Sequence, residues 1–296
     1  MKRNRLATSL CATLLVVFFA GTVFCRSQVE KLRGKEATLE EVLYMPSGKS
    51  VKRLSLGYSS LLADIYWTRA VQYFGDKSHQ RSMRYDLLYP LLDITTDLDP
   101  HLIVSYEFGS LFLSQPPPEG AGQPEKAVAL VKKGIRENPS YWRLYFTLGF
   151  IHYLDRRDYK AASEAFLKGS EVPGALPWMK VMAARMAEHG DDRSTAIYLW
   201  KAVYDTSIDP QVKETALQHL ASLRAEADIE QLEQQVKIYR ERTGVFPSRW
   251  LDMVRAGLLP GLPQDPNGGE YKLLPDGTVD VEDPAKYRFL NRSGNK

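Results

Sequence analysis

The side chains that most often do chemistry in enzymes are sparse in this sequence. A metal site or general base would be sought among the histidines, which are His79, His101, His152, His189 and His219. No two of them stand at a metal-ligand spacing with a supporting carboxylate, and neither His-Glu-x-x-His nor Gly-x-Ser-x-Gly occurs. The sequence therefore predicts no catalytic site, no metal and no cofactor. An enzyme would need a carboxylate pair formed across the fold, such as Asp64 with Glu107.

Gly48-Lys49-Ser50 has the residues of a phosphate-binding loop without its spacing. Such a loop needs a glycine five residues before Gly48, and position 43 is Leu. We therefore predict a turn at this point, within a small β-hairpin that pairs residues 42–45 with residues 51–56. Asp191-Asp192 follows Gly190 and precedes a helical pattern, so it is predicted to cap a helix.

Composition and charge limit the class of protein further. The chain has 296 residues, of which 44% are hydrophobic and 25% charged, as in ordinary globular proteins. The formal net charge is only +3, and the basic residues are scattered among acidic ones. Nucleic-acid binding would require clustered lysine and arginine on one face, so it is not predicted. No small-molecule substrate is indicated either.

The first 26 residues have the pattern of a membrane anchor. Lys2, Arg3 and Arg5 precede an uncharged run, residues 6–25, which as a helix would span about 28 Å between Leu6 and Phe24. Basic residues ahead of the run favour a cytoplasmic N-terminus with the rest of the chain translocated. The expected location is a bacterial inner membrane, with a single span and most of the chain in the periplasm. Cleavage of this segment as a signal peptide, or lipidation at Cys25, are the alternatives. Residues 27–56 follow as a linker and the short hairpin.

A helical repeat dominates the middle of the chain. The interval from Ala127 to Ala162 is almost equal to that from Ala162 to Ala196, and large apolar residues four positions later keep the same spacing; these are Val131, Phe166 and Trp200. Antiparallel helices that pack closely need a small side chain where they cross, and a large one a turn later fills the gap to the next pair. Features that recur in phase indicate stacked helix pairs.

These residues resemble the tetratricopeptide repeat (TPR) family. Residues 142–174 form the best unit, with Leu148-Gly149 in the first helix and one residue inserted between the helices. The resemblance implies an all-α, right-handed helical solenoid over residues 57–210. In the first unit Pro90 lies inside the expected second helix and is predicted to kink it.

The family's register also implies a partner-binding groove. Its predicted groove residues are Trp67, Tyr106, Arg143, Phe146, Phe150, Tyr153 and Arg185. Aromatic and arginine side chains are typical of binding hot spots, so we expect a protein or peptide partner whose carboxylates meet the two arginines. For Trp67 and Phe150, packing between helices is an equally good interpretation.

The C-terminal third is predicted to contain a long helix and a short irregular domain. An apolar stripe continues over residues 211–243 and would cap the repeats. Residues 244–296 are then similar to the C-terminal part of type II secretion major pseudopilins. The resemblance rests on Tyr239 with Gly244, on Phe246-Pro247, and on a Pro-x-Asp-Pro-x-Gly-x-x-Tyr pattern over residues 263–271. The pseudopilin cleavage motif is missing, and no calcium ligands can be matched.

Together these patterns predict a membrane-anchored TPR scaffold or assembly factor rather than an enzyme. It would mediate protein–protein interaction on the periplasmic side of a bacterial envelope, in pilus or secretion machinery. The alternative is a structural subunit that assembles with copies of itself and has no transient client.

Overall fold

The computed structural model describes residues 15, 18–22, 24 and 47–291. The predicted anchor, residues 6–25, therefore falls largely outside the described residues. Within the described part, no helix combines the length and the apolar character needed to cross a membrane. The chain divides into two compact units, residues 1–130 and residues 131–296, and both are mostly helical.

The described part of the first unit is a cluster of helices around one buried helix. Its helices are α1 (Gly48–Leu54), α2 (Ser59–His79), α3 (Leu88–Leu98), α4 (Ile103–Ser114) and the start of α5 (Pro124–Glu137), which continues into the second unit. Helix α3 is central because it packs against α1, α2 and α4. Gly109 of α4 lies against Leu92 and Leu130, so a side chain here would force the helices apart.

The predicted hairpin over residues 42–56 is wrong in its second half. Residues 42–45 lie outside the described residues, and residues 48–54 form α1 instead of a strand. Ser47 explains the difference, because its side chain accepts a hydrogen bond from the Ser50 amide and caps the helix. The Ser-Gly-Lys-Ser sequence is thus a helix start, and Gly48 fits closely against Asp97 of α3.

Pro90 does not kink a helix, contrary to the prediction. Helix α3 begins at Leu88, so Pro90 falls in its first turn. Amides in the first turn have no intrahelical acceptor, and the missing N–H of proline therefore costs nothing there. The error came from extending the helix too far towards the N-terminus.

The second unit consists of helices that pack in sequence-adjacent pairs. They are α6 (Trp142–Phe150), α7 (Tyr159–Ser170), α8 (Trp178–His189), α9 (Arg193–Thr206), α10 (Pro210–Thr243) and the short α11 (Trp250–Arg255). Each of α6 to α9 packs against its successor, so that α9 packs against α10. One core joins α7, α8, α9 and the first half of α10, with Phe166, Met179 and Trp200 completely buried.

An aspartate caps the N-terminus of both α7 and α9. The two aspartates are separated by the same interval as Ala162 and Ala196. Asp158 accepts a hydrogen bond from the amide of Ala161, and Asp192 accepts one from the amide of Thr195. The residue before each aspartate adopts a left-handed conformation, with φ of 52° before Asp158 and 55° before Asp192. The predicted helix cap at Asp191-Asp192 is thus confirmed at Asp192.

The extra residue predicted between α6 and α7 is accommodated in a π-helical turn at the end of α6. Helix α6 continues into a π-helical turn, Ile151–Asp155. A π turn accommodates one more residue than an α turn, so the insertion changes the end of α6 and leaves α7 in phase with α9.

The C-terminal segment folds onto the second half of α10. Its regular structure is a two-stranded antiparallel sheet of β1 (Lys272–Leu273) and β2 (Val279–Asp280), followed by a 3₁₀ turn over Pro284–Lys286. A second core joins α10 to this segment, with Leu232 and Val236 buried against residues such as Trp250 and Tyr271. Helix α10 ends at Gly244, which adopts φ 81° as a left-handed cap.

Candidate partner-binding surface

One face of α6 and its π turn carries four half-buried aromatic rings, which we call the aromatic strip: Trp142, Phe146, Phe150 and Tyr153. Spacings of four, four and three positions place them on one side of the helix. Adjacent ring centroids lie 6.2, 4.6 and 6.4 Å apart, all with near edge-to-face orientation. The other side of α6 is aliphatic and buried, with Leu144 completely enclosed.

Rings from the following helices extend the aromatic strip beside Phe146 and beyond Tyr153. Trp178, at the start of α8, meets Phe146 edge-on at 5.4 Å and remains 39% exposed. Tyr159, at the start of α7, lies 6.1 Å from Tyr153 and stacks on His189 at 5.7 Å. Aromatic pairs of this geometry add to the stability of the surface, so the rings hold one another in place.

A buried layer fixes the aromatic strip from below. Phe166 of α7 is fully buried and contacts both Phe146 and Phe150, at 6.3 and 5.3 Å between ring centroids. Gly149 makes this possible, since a Cβ there would lie 2.7 Å from the Phe166 ring. Helices α6 and α7 therefore approach closely only with glycine at this position.

His152 lies in the π turn next to Tyr153 but faces inward. It is 6% exposed, and its Nδ1 is 3.8 Å from the Asp158 carboxylate. Burial lowers the pKa of His152 below its ordinary value, and Asp158 opposes that shift only in part. The ring is therefore a neutral packing group at pH 7.

The structure brings together most of the predicted groove residues. Phe146, Phe150 and Tyr153 form the aromatic strip, and Arg143 is exposed with its guanidinium 5.4 Å from the Trp142 ring centroid. Arg185, on α8, is exposed as well. These five groove residues belong to the second unit.

The two remaining groove residues belong to the first unit, and one of them is inaccessible. Tyr106 is completely buried, which rules it out as a contact for a partner. Tyr106 lies on the buried side of α4 with Gly109 and Leu113, while Phe108 and Leu111 on the other side are exposed. Trp67 is half-buried and stacks on Phe112, with centroids 6.3 Å apart and planes 5° from parallel.

Arg185 lines a polar pocket of about 660 Å³ in the second unit. Two rings of a three-ring stack, His219 and Phe289, form part of its wall. His219 lies between Trp200 and Phe289, with centroid separations of 3.9 and 3.6 Å. Glu188 holds the stack, since its Oε2 accepts a hydrogen bond from Trp200 Nε1, at 3.0 Å, and its Oε1 accepts one from His219 Nδ1, at 3.2 Å. A carboxylate only accepts, so the proton of a neutral His219 ring lies on Nδ1.

Charged groups at the pocket's rim are mostly paired. Arg193 of α9 forms a two-pronged ion pair with Glu230 of α10, one N–O distance being 2.9 Å, and this pairing lowers the pKa of Glu230. Burial raises the pKa of Glu226, although the Asn291 amide donates to its carboxylate. The pocket is thus a structured polar junction between α8, α9, α10 and the C-terminal segment.

Sequence reasoning missed this junction, although part of it left a signal. His219 is at the i+3 position from Ala216 within the apolar stripe of α10, and it is 3% exposed. A histidine within such a stripe indicates a buried ring. Nothing in the short apolar runs of the tail indicated that Phe289 would cover it.

An apolar cleft of about 740 Å³ lies beside Trp178. Its walls are the connections before α8 and before α10, together with helix residues beside them, and Leu176, Val203 and Val212 are among the lining side chains. Ile208, on the second connection, is 98% exposed. Ile208 lines the cleft, so the two form one continuous apolar surface.

The described residues contain no group of three or more histidine, cysteine, aspartate or glutamate side chains placed to hold a metal ion. The arrangement offers aromatic surface, two exposed arginines and an apolar cleft, which is binding chemistry. No protein-family model matches the sequence, and a search of curated proteins gave no significant match.

Proposed function

We propose that this chain is a membrane-anchored, TPR-like scaffold that binds a protein partner on its aromatic strip. The observation that carries the proposal is the continuous set of half-buried rings on α6, extended by Trp178, with the exposed Arg143 guanidinium beside the Trp142 ring. Arg185 is also exposed, and it lines a pocket with Tyr159, the ring that lies next to Tyr153. Rings held by a buried layer lose little conformational freedom when a partner covers them. Aromatic and arginine side chains dominate binding energies at such surfaces.

The packing of the in-phase residues supports the repeat interpretation. Ala127, Ala162 and Ala196 all have zero exposure, and so do the large residues four positions later. Small residues at the crossings and large ones between pairs are what stacked TPR-like units require. A right-handed solenoid is the arrangement that we propose for these repeats.

The cellular setting is proposed from the two ends of the sequence. The apolar run over residues 6–25 fits a single-pass anchor in a bacterial inner membrane, with the folded part in the periplasm. The pseudopilin-like features of residues 244–296 favour pilus or secretion machinery. Two observations support this part of the proposal: Gly244 ends the long helix, and Tyr271 lies in the core of the C-terminal segment.

Site-specific photocrosslinking in cells tests this function. A photoreactive residue replaces Phe146 or Tyr153 in the aromatic strip, and Tyr198 on α9 serves as the control because it is 70% exposed but outside the strip. We expect one discrete protein adduct from both strip positions and none from position 198. Equal labelling at all three positions, or no adduct with the folded protein at the membrane, would contradict partner binding on the strip.

Self-assembly is the second candidate, and Ile208 favours it. An isoleucine that is 98% exposed, next to an apolar cleft of the same chain, offers a contact that two copies could share across a two-fold axis. Light scattering on the purified chain separates the cases. A dimer that becomes monomeric with Ile208→Asp supports self-assembly, whereas a monomer at every concentration refutes it.

A further inference from the structure

A second exposed apolar surface lies at the start of the described chain, far in sequence from the aromatic strip. We call it the amino-terminal apolar patch, and its residues are Leu54, Leu56, Tyr58, Leu61 and Ile65. All are exposed, from 47% at Ile65 to 88% at Leu56. Five large apolar side chains within such a short stretch exceed the scattered exposure normal for a surface.

The patch occupies one side of α2 and the connection before it. Leu61 and Ile65 are one helical turn apart, and Tyr58 immediately precedes the helix. Ala63 and Ala70 on the other side of α2 are completely buried in the first unit. Helix α2 thus already uses one face for its core and presents a second apolar face outward.

The backbone presents Leu56 in an unfavourable conformation. Leu56 has φ of 49° and Gly57 has φ of 93°, so the connection turns sharply through two left-handed residues. A leucine rarely adopts this conformation, and here it gains little burial in return. A strained residue whose side chain is left almost fully exposed points to a contact outside the fold.

The charges around the patch are mainly basic. Residues 47–66 contain Lys49, Lys52 and Arg53 but only one acidic residue, Asp64, a balance of +3 − 1 = +2. Lys49 and Arg53 are exposed, while Lys52 donates to the backbone carbonyl of Asp97. Aliphatic side chains, a tyrosine and basic groups together are the composition of segments that lie in the interface of a bilayer with anionic headgroups.

We infer that the amino-terminal apolar patch lies on the surface of the bilayer that holds the anchor. This inference rests on the membrane tether in the proposed function. Only residues 26–46 separate the predicted anchor from Ser47, and even a fully extended segment of that length spans at most about 75 Å. The anchor therefore keeps the patch within reach of lipid at all times. The leucines and Tyr58 enter the headgroup region, and Lys49 and Arg53 meet lipid phosphates.

A polarity-sensitive fluorophore on the full chain tests this inference. The chain is reconstituted into vesicles that contain anionic lipid, with Cys11→Ser and Cys25→Ser leaving one introduced cysteine for labelling. Labels are placed with Tyr58→Cys in the patch, with Tyr198→Cys as a control, and with Phe18→Cys in the predicted anchor. Tyr58 and Tyr198 are matched, at 69% and 70% exposure. Quenching by nitroxide-labelled lipid reports contact with the bilayer.

We expect blue-shifted emission and lipid quenching at positions 18 and 58, and neither at position 198. Adding Leu56→Glu and Leu61→Glu should abolish the quenching at position 58 and leave it intact at position 18. Quenching at position 18 alone would overturn the patch inference while the tether stands. A blue shift at position 58 without lipid quenching would overturn it too, since protein would then cover the patch. No quenching at position 18 would refute the tether itself.

Discussion

The second unit contains two aromatic stacks of similar composition and opposite character. The aromatic strip on α6 is half-exposed, and its rings contact one another and the neighbouring rings of Phe166, Trp178 and Tyr159. The stack of Trp200, His219 and Phe289, which we call the joint, is covered by the C-terminal segment and anchored by hydrogen bonds to Glu188. Polar partners and a cover give the joint a structural role, whereas the rings of the strip stay partly exposed among the residues that the structure describes.

Trp200→Ala should have the largest effect, because it removes a fully buried ring from the joint. We expect a loss of about 3–5 kcal/mol in the free energy of unfolding, from the cavity and from the lost hydrogen bond to Glu188. Trp178→Ala is the matched control in the exposed stack and should cost about 1 kcal/mol. Urea unfolding measures both. Equal losses would mean that the two stacks do not differ in the way described.

Phe146→Ala should weaken the binding of a partner to the aromatic strip. The ring contacts Trp142, Phe150 and Trp178, so its loss breaks the continuous surface. We expect partner affinity to fall by about 2 kcal/mol, or roughly 30-fold, as for a hot-spot residue. The yield of the Tyr153 crosslink measures this, with Tyr198→Ala as the control. An unchanged yield would place the partner elsewhere.

The buried His152 predicts a response of stability to pH. Its pKa is lowered in the folded chain, so below about pH 6.5 the unfolded state takes up a proton that the folded state resists. The stability that neutral His152 contributes is complete above its unfolded pKa and is lost as the pH falls through the lower folded value. His152→Leu should therefore flatten the decline in unfolding free energy as the pH is lowered from neutral into the mildly acidic range. A decline as steep as that of the unmodified chain would contradict the assignment.

Arg193→Lys should have the smallest effect. The ion pair with Glu230 joins α9 to α10 beside the joint, but both side chains are partly exposed. Such pairs contribute up to about 1 kcal/mol, and lysine keeps the charge while losing the second hydrogen bond. We expect the unfolding free energy to decrease by about 0.5 kcal/mol. This loss should be smaller in high salt, because salt screens the ion pair. A loss comparable with that of Trp200→Ala would show that the pair holds the joint together.

Periodicity located the helices of the second unit well, because small and large residues recur where backbones must cross. The long helix predicted over residues 211–243 is α10, Pro210–Thr243. Local chemistry near residue 48 was misread, since a serine that caps a helix and a serine in a turn look alike in sequence. Pro90 was misread for a similar reason, because its effect depends on where the helix begins.

The candidate surface could be predicted only where the spacing of residues along one helix determines which side of that helix they occupy. Phe146, Phe150 and Tyr153 follow from helical spacing and lie together as expected. Tyr106 shows the limit, because the enclosure of α4 depends on contacts distant in sequence. The joint depends on one such contact as well, since Phe289 comes from near the end of the chain and His219 from the first half of α10.

The number of residues in α10 determines how the C-terminal segment is rotated about the helix axis relative to the helix pairs. Its first half belongs to the core of the helix pairs and its second half to the core of the C-terminal segment, on one helix of 34 residues, about 50 Å long. One residue inserted between Leu223 and Ala225 would turn the second half by about 100° around the helix axis while advancing it only about 1.5 Å. The side of α10 on which the C-terminal segment lies therefore depends on the number of residues in this helix.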